Sequence, residues 1–271
     1  MKNKNILKVA LVQMASGDNE KRNMRKAIEL LKQAVEGGAQ LVCFPEVFNY
    51  RARSSRGGDH ATTIPGPLFL PLQEYARQKQ IWILAGSVRE KAAEFRKVYN
   101  SSVVIGNDGN INAIYRKIHL FDAQVNGKKV LESATFMRGK DPVLADVAGI
   151  PTGLSICYDL RFPELYREYS AQGAKMLYVP SSFTAVTGKA HWEILLRARA
   201  IENQCFVLAP NQYGIGSDGV RTYGNSMIID PWGEILARAS KDRKDVIYGV
   251  LDFNRLNTIR NILPALKHRV L

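Results

Sequence analysis

The sequence predicts an α/β fold, a layered sandwich rather than a simple doubly wound sheet. Three observations lead there: an early βαβ unit, a strong hairpin in the middle of the chain, and strands on both sides of the helical segments. Leu7–Met14 alternates with aliphatic residues and reads as a strand. From Asn19, the apolar positions Met24, Ala27, Ile28, Leu31, Ala34 and Val35 follow helical spacing until Gly37 and Gly38 stop the helix. "AQLVCFPE" is a short buried strand, which leaves Glu46 just past its carboxyl end, where open α/β sheets hold ligands. Leu68–Gln80 reads as a helix and "IWILAGSV" as a strand. "YNSSVVIGNDGNINAIYRK" is two strands around a Gly/Asn/Asp turn, the second running out at Lys117. Residues 122–142 are polar and Gly-containing and read as a long loop. A strand over Val143–Val147 precedes "TGLSIC"; "LRFPELYREYSAQGA" reads as a helix, "KMLYVP" as a strand and "AHWEILLRARAIENQ" as a helix. "CFVLAPN", "TYGNSMIID", "GEILARA" and "DVIYGVLDF" are further strands, and a last helix begins near Asn254. No repeat, low-complexity tract or linker interrupts residues 1–271, so one domain is expected.

Composition narrows the function. The chain has 271 residues, 46% hydrophobic, long enough to bury a full core without disulfides or metals. Three cysteines, an odd number, argue against a disulfide framework and for the reducing cytoplasm. Lys8 and Gln13 break the first apolar run, so it reads as a strand and not as an export segment, and no run of about 18 apolar residues predicts a membrane span. The formal charge of +13 raises the question of nucleic acid. However, Lys and Arg are scattered among Asp and Glu with no basic block, and no zinc-finger, RNP or P-loop spacing occurs, so no nucleic acid partner is expected.

The chemistry centres on "GLSICYDLRFPEL". An apolar run ends in Cys157 and passes at once into charged, helix-forming residues. A thiol at a strand–turn–helix corner faces backbone N–H groups that favour a thiolate, and the Tyr158 N–H can hold an oxyanion. The ordinary reading is a core cysteine. Glu46 can equally be a solvated turn residue, and Lys117 a surface lysine with a buried stem. Among the histidines, His119 and His191 are the better placed, each as a base or as a hydrogen-bonded structural residue. No His, Cys or carboxylate set has metal-ligand spacing, and no cofactor is expected. Arg161, four residues past Cys157, either faces a pocket or pairs with Glu164 or Asp159. Phe183 and Thr184 follow "YVPSS", a strand expected beside the cysteine strand. Tyr50 is a further candidate.

Taken together, "FPE" near 46, "RKIHLFD" near 117 and "ICYDLRFPE" near 157 resemble the three signatures of the nitrilase, or carbon–nitrogen hydrolase, superfamily. The resemblance runs over nearly the whole length. It implies a four-layer αββα sandwich, pairing into a homodimer, and a Glu46–Lys117–Cys157 triad, with Glu132 in "VLESATF" matching a second glutamate. In that scheme Glu46 takes the thiol proton, Cys157 attacks an amide carbonyl, Lys117 and the Tyr158 N–H hold the oxyanion, ammonia leaves, and water hydrolyses the thioester. Further segments, "SSFTAVTGKAHWEILLRARAIENQCFV" and "YGNSMIIDPWG", resemble the Nit amidase branch. That branch implies a small-molecule amide substrate, either deaminated glutathione or the ω-amidase substrates 2-oxoglutaramate and 2-oxosuccinamate. "FNYRARS" and "LPALKHRV" are more similar to the first group. The family usually has histidine where this chain has Asn225.

Overall fold

The computed structural model describes residues 5–52, 58, 60–92, 97–125 and 128–270. Arg53 and Ser54 of "FNYRARS" lie outside them. The chain opens with β1 (Ile6–Gln13), α1 (Glu20–Glu36) and β2 (Leu41–Cys43). Asn19 caps α1 by accepting from the Arg22 N–H at 2.9 Å, as a short polar side chain at that position does. α2 (Leu70–Lys79), β3 (Trp82–Leu84), β4 (Val88–Lys91), β5 (Val98–Ile105) and β6 (Ile111–Arg116) follow. The expected hairpin is the antiparallel β5–β6 pair.

Residues 122–142 are not one loop. They hold the antiparallel pair β7 (Asp122–Val125) and β8 (Lys128–Leu131), a 3-10 turn over Glu132–Ala134, and β9 (Phe136–Met137) against β5. β10 (Leu144–Val147) and β11 (Ile150–Leu154) lead to a 3-10 turn, Cys157–Arg161, and to α3 (Pro163–Ala171). Cys157 is therefore not the last residue of its strand but lies three residues beyond it. β12 (Met176–Tyr178) is followed by α4 (Ala185–Asn203), which starts five residues before the expected helix because Thr184 caps it. β13 (Phe206–Ala209) comes next, then β14 (Tyr213–Ile215), β15 (Arg221–Tyr223) and β16 (Met227–Ile229). "TYGNSMIID" is two strands, since Gly224 and Asn225 both adopt positive φ, 61° and 52°, and break the extended run. β17 (Ile235–Arg238), β18 (Asp245–Asp252) and α5 (Phe253–Ile262) complete the order.

Two sheets result. One runs β18-β1-β2-β3-β5-β4, with β6 and β9 on the other edge of β5; the second runs β10-β11-β12-β13-β16-β17. Alternation along the strands builds the layers. Val9 and Leu11 of β1, with Leu41 and Cys43 of β2, face the second sheet and pack with Leu154, Ile156, Met176, Tyr178, Phe206 and Leu208. Their neighbours Ala10, Val12 and Val42 face outward onto Ala27, Leu31 and Ala34 of α1. In the second sheet Val207 and Ala209 face outward onto Trp192, Leu196 and Ala200 of α4. The order is helix, sheet, sheet, helix: the αββα sandwich.

Tyr178 crosses between the sheets. Its hydroxyl donates to the Phe44 carbonyl, lies 3.1 Å from that of Leu84, and accepts from the Gly86 N–H at 3.0 Å. Gly86 has φ +50°, and a Cβ there would stand 2.1 Å from the Pro45 carbonyl oxygen. Only glycine lets the β3–β4 turn lie against the chain that carries Glu46.

Candidate active site

Glu46, Lys117, Glu132 and Cys157 line one cavity of about 400 Å³. Glu46, 4% exposed, follows β2. Its Oε1 accepts from Asn100 Nδ2 at 2.9 Å and from Lys117 Nζ at 3.1 Å, and its Oε2 from the Ser182 N–H at 2.7 Å. Gln212 Nε2 donates to its backbone carbonyl at 2.9 Å. Lys117, just past β6 and 2% exposed, also donates to Glu132 Oε1 at 2.9 Å. Its backbone N–H bonds the Asn100 carbonyl at 2.9 Å, and its carbonyl accepts from Gly139 at 2.7 Å. Glu132 Oε2 accepts from the Phe121 N–H at 2.7 Å. The ammonium thus has a carboxylate on each side, and each carboxylate is braced by further donors.

Burial pushes the Lys117 ammonium toward neutrality, but the Glu132 and Glu46 carboxylates outweigh it and hold the amine well above its usual range. Burial raises the Glu132 carboxyl, against the pull of Lys117. Burial, with the negative charge of Glu46, also pushes the Cys157 thiol well above the usual range, opposed by Lys117. The backbone N–H groups expected to favour a thiolate are thus outweighed, and the thiol keeps its proton until a base takes it.

Cys157 has φ +50°, in the left-handed region, and its N–H bonds the Pro180 carbonyl at 3.0 Å. Val47, next to Glu46, has φ +51°, costly for a β-branched residue, and its N–H bonds Ser87 Oγ at 3.0 Å. Such backbone costs of roughly 1–3 kcal/mol persist where the surroundings over-determine them, as on both sides of this cavity.

The elbow is tied to the lysine segment by Asp159, which is fully buried. Its carboxylate accepts from Tyr115 Oη at 2.7 Å, the His119 N–H at 2.9 Å and the Ile156 N–H at 2.8 Å, and lies 2.8 Å from His119 Nδ1. His119 stacks on Phe162 at 3.7 Å. It is a structural residue held by Asp159, which answers the question left open for it.

Arg161 also resolves. It lines the cavity, its guanidinium 5.6 Å from the Tyr158 ring and 5.3 Å from the Phe183 ring, with His191 Nδ1 at 3.2 Å from Nη1. Tyr158, Phe183, Thr184 and Tyr50 line the cavity too. Phe183 is fixed by Asn211, whose Oδ1 accepts its N–H at 3.0 Å. Asn225 does not line the cavity: its carbonyl accepts from Trp192 Nε1 at 2.8 Å. Its left-handed backbone suits asparagine and histidine alike, a physical reason for the two to exchange there.

Sequence reasoning missed the site contacts of Asn100, Asp159 and Ser182. Asn100-Ser101-Ser102, a polar run inside a strand otherwise built for burial, was the available signal for the first. Among the described residues, no group of three or more His, Cys, Asp or Glu side chains could hold a metal ion, and no helix is long and apolar enough to cross a membrane.

The chain is similar to known proteins over nearly its whole length. The family model for carbon-nitrogen hydrolase matches residues 8–261. The deaminated glutathione amidase of Synechocystis sp. is 44% identical over 265 residues, covering 96% of this chain and 97% of that protein. The mouse omega-amidase NIT2 is 36% identical over 263 residues, covering 97% and 94%. The crystal structure of the C. elegans NitFhit protein superposes with a TM-score of 0.92 at 35% identity, covering 98% of this chain and 65% of that one. With a matched model over nearly its whole length, and the same layered sandwich as its structural relatives, this chain belongs to the carbon-nitrogen hydrolase family.

Proposed function

We propose that this chain is an amidase that cleaves deaminated glutathione through a thioester on Cys157. The observation that carries the reading is the Glu46–Lys117–Glu132 chain of ion pairs lining the same cavity as the Cys157 elbow. Glu46 takes the thiol proton as Sγ bonds to the amide carbon. The resulting oxyanion is met by the Lys117 ammonium and the Tyr158 N–H. When the C–N bond breaks, the departing amine receives the proton from Glu46. Glu46 then deprotonates water, which attacks the thioester and frees the acid and the thiol. Glu132 holds Lys117 in place and keeps it cationic.

The raised thiol requires such a base, because the free thiolate is scarce near neutral pH. Arg161, braced by two rings beside Cys157, suits the carboxylate of a 2-oxo acid, with Phe183 and Thr184 on the adjoining wall. Deaminated glutathione and 2-oxoglutaramate give the same 2-oxoglutaryl thioester. They differ in the leaving amine, cysteinylglycine from the first and ammonia from the second. Release of 2-oxoglutarate therefore reports both, and ammonia only the second. The name of the Synechocystis relative supports deaminated glutathione.

A homodimer and a cytoplasmic setting belong to the same proposal. Ile194 and Ile201 of α4, Trp232 and Leu236 are exposed apolar side chains, Ile201 packing close to Gly233, and such exposure suits burial against a second copy of this chain. Cys43, Cys157 and Cys205 are all unpaired, which suits a reducing compartment.

The test is side-by-side kinetics on deaminated glutathione, 2-oxoglutaramate, glutamine and a simple nitrile, with mass spectrometry for an acyl group on Cys157. Higher kcat/KM on deaminated glutathione is expected. A preference for 2-oxoglutaramate replaces this reading with the ω-amidase one. No turnover and no acyl adduct make the chain a binding module.

A further inference from the structure

Arg89 has no part in the chemistry above, yet it lines the same cavity as Cys157. It stands on β4 directly opposite Asn100 on β5, so the two side chains leave the same face of the sheet. Asn100 is the residue whose amide holds Glu46. Arg89 is only 7% exposed. Its guanidinium lies 5.0 Å from the Tyr50 ring and 5.8 Å from the Phe136 ring, and Nη2 donates to the Ala52 carbonyl at 2.9 Å. Arg161 has the matching arrangement with Tyr158 and Phe183. Two guanidinium groups, each braced by two aromatic rings, therefore line one cavity. One comes from the first sheet, next to the residue that holds Glu46. The other comes from the elbow that leads off the second sheet.

We propose that Arg89, braced by Tyr50 and Phe136, receives a carboxylate on the amine half of the substrate, the half that leaves. The inference rests on the function proposed above, in which Arg161 takes the carboxylate of the acyl half. A substrate with a carboxylate at each end uses both guanidinium groups; a primary keto-amide uses one. A two-residue leaving group reaches at most roughly 7 Å from the scissile nitrogen, a span suited to a receptor one strand away from Asn100, whose amide holds Glu46. The planar guanidinium matches a carboxylate in a two-point contact, and a side chain already held between rings loses little freedom on binding. Arg89 thereby makes the pocket selective for an amide whose amine ends in a free acid.

The experiment compares two leaving groups on one acyl group: deaminated glutathione and the same compound with its glycine carboxylate converted to a carboxamide. Release of 2-oxoglutarate is measured for wild type, Arg89→Gln and Arg89→Lys, each first checked for its folded circular dichroism spectrum. The wild type is expected to favour the free acid in kcat/KM by roughly tenfold to a hundredfold, the range set by one charged hydrogen-bond partner. That ratio falls toward unity in Arg89→Gln and is partly restored in Arg89→Lys. A wild type with no preference between the two compounds overturns the assignment without any variant. So does an Arg89→Gln that keeps the full preference. If wild type releases 2-oxoglutarate from neither compound nor from 2-oxoglutaramate, the proposed function itself fails, and the assignment with it.

Discussion

Replacing Lys117 with methionine isolates the charge at the centre of the cavity. In the wild type one ammonium sits 3.1 Å from Glu46 and 2.9 Å from Glu132, with almost no exposure. At an effective dielectric constant of about 20, each contact is worth roughly 5 kcal/mol of attraction, offset by several kcal/mol of desolvation for each ion. Methionine keeps the stem and removes the charge, leaving two carboxylates facing each other. Removing one partner of a buried pair costs about 3–5 kcal/mol. Here the lower end is expected, because Asn100 and Ser182 still donate to Glu46 and Phe121 to Glu132. The cost depends on pH. Without Lys117, burial and the nearby Glu46 carboxylate raise the folded Glu132 carboxyl above the unfolded value of about 4.3. A group raised on folding favours the folded state while protonated, and that advantage is lost as pH rises through the folded value. The deficit of Lys117→Met should therefore be small near pH 5 and full near pH 8. Urea unfolding of wild type, Lys117→Met and Lys117→Met/Glu132→Gln at both pH values measures it. Equal deficits at the two pH values, or a double variant no more stable than the single one at pH 8, would refute the electrostatic account.

Other expectations follow from the same geometry. Cys157→Ala and Cys157→Ser should abolish turnover with the fold intact, whereas Cys43→Ala and Cys205→Ala should keep activity and lose about 1 kcal/mol of stability through packing; more than a few per cent of activity in Cys157→Ser removes the thiol from the reaction. Because burial raises that thiol, it stays protonated through neutral pH, so labelling of Cys157 by a disulfide reagent should rise with a midpoint above the ordinary thiol value of about 8.5, and a lower midpoint contradicts the shift. Asp159→Asn should cut kcat by roughly a hundredfold with little change in KM, since it loosens the tie between the lysine segment and the elbow, and a loss confined to thermal stability would make Asp159 purely structural. Asn225→His should leave KM for both keto-amides within about twofold and cost at most about 1 kcal/mol; a larger KM change would place that side chain in the cavity.

The parts of this molecule legible in its sequence are those that local physics specifies. Asn19 and the spacing from Met24 to Val35 define α1, and the Gly/Asn/Asp turn defines β5–β6. Glu46, Lys117 and Cys157 could be marked as strand-end residues, and the family resemblance joined them. Their shared cavity arises from the docking of two sheets, which no local pattern encodes. Residues 122–142 misled because β7 and β8 pair only with each other and lack the apolar alternation of a core strand. Asn126-Gly127, a strong two-residue hairpin signal, lies between them in the sequence. Cys157 misled for another reason. "LSIC" has strand composition, but the chain leaves the strand at Leu154 and puts the thiol in a conformation that cysteine does not favour on its own. Arg89 was hidden because a single arginine in a short strand looks like surface until β4 is paired with β5.

The pairing of β1 with β18 has a consequence for the order in which this protein can come to life. The first strand of the sandwich finds its antiparallel partner only in residues 245–252, and the elbow and Ser182 belong to the sheet built in between. A chain emerging from the ribosome carries Glu46 and Lys117 long before the cysteine that needs them, and the edge of their sheet stays open until the final strand arrives. Pairing across so much sequence is slow and late. The site itself cannot assemble before the elbow and Ser182 have been made and have met the Glu46 and Lys117 side chains.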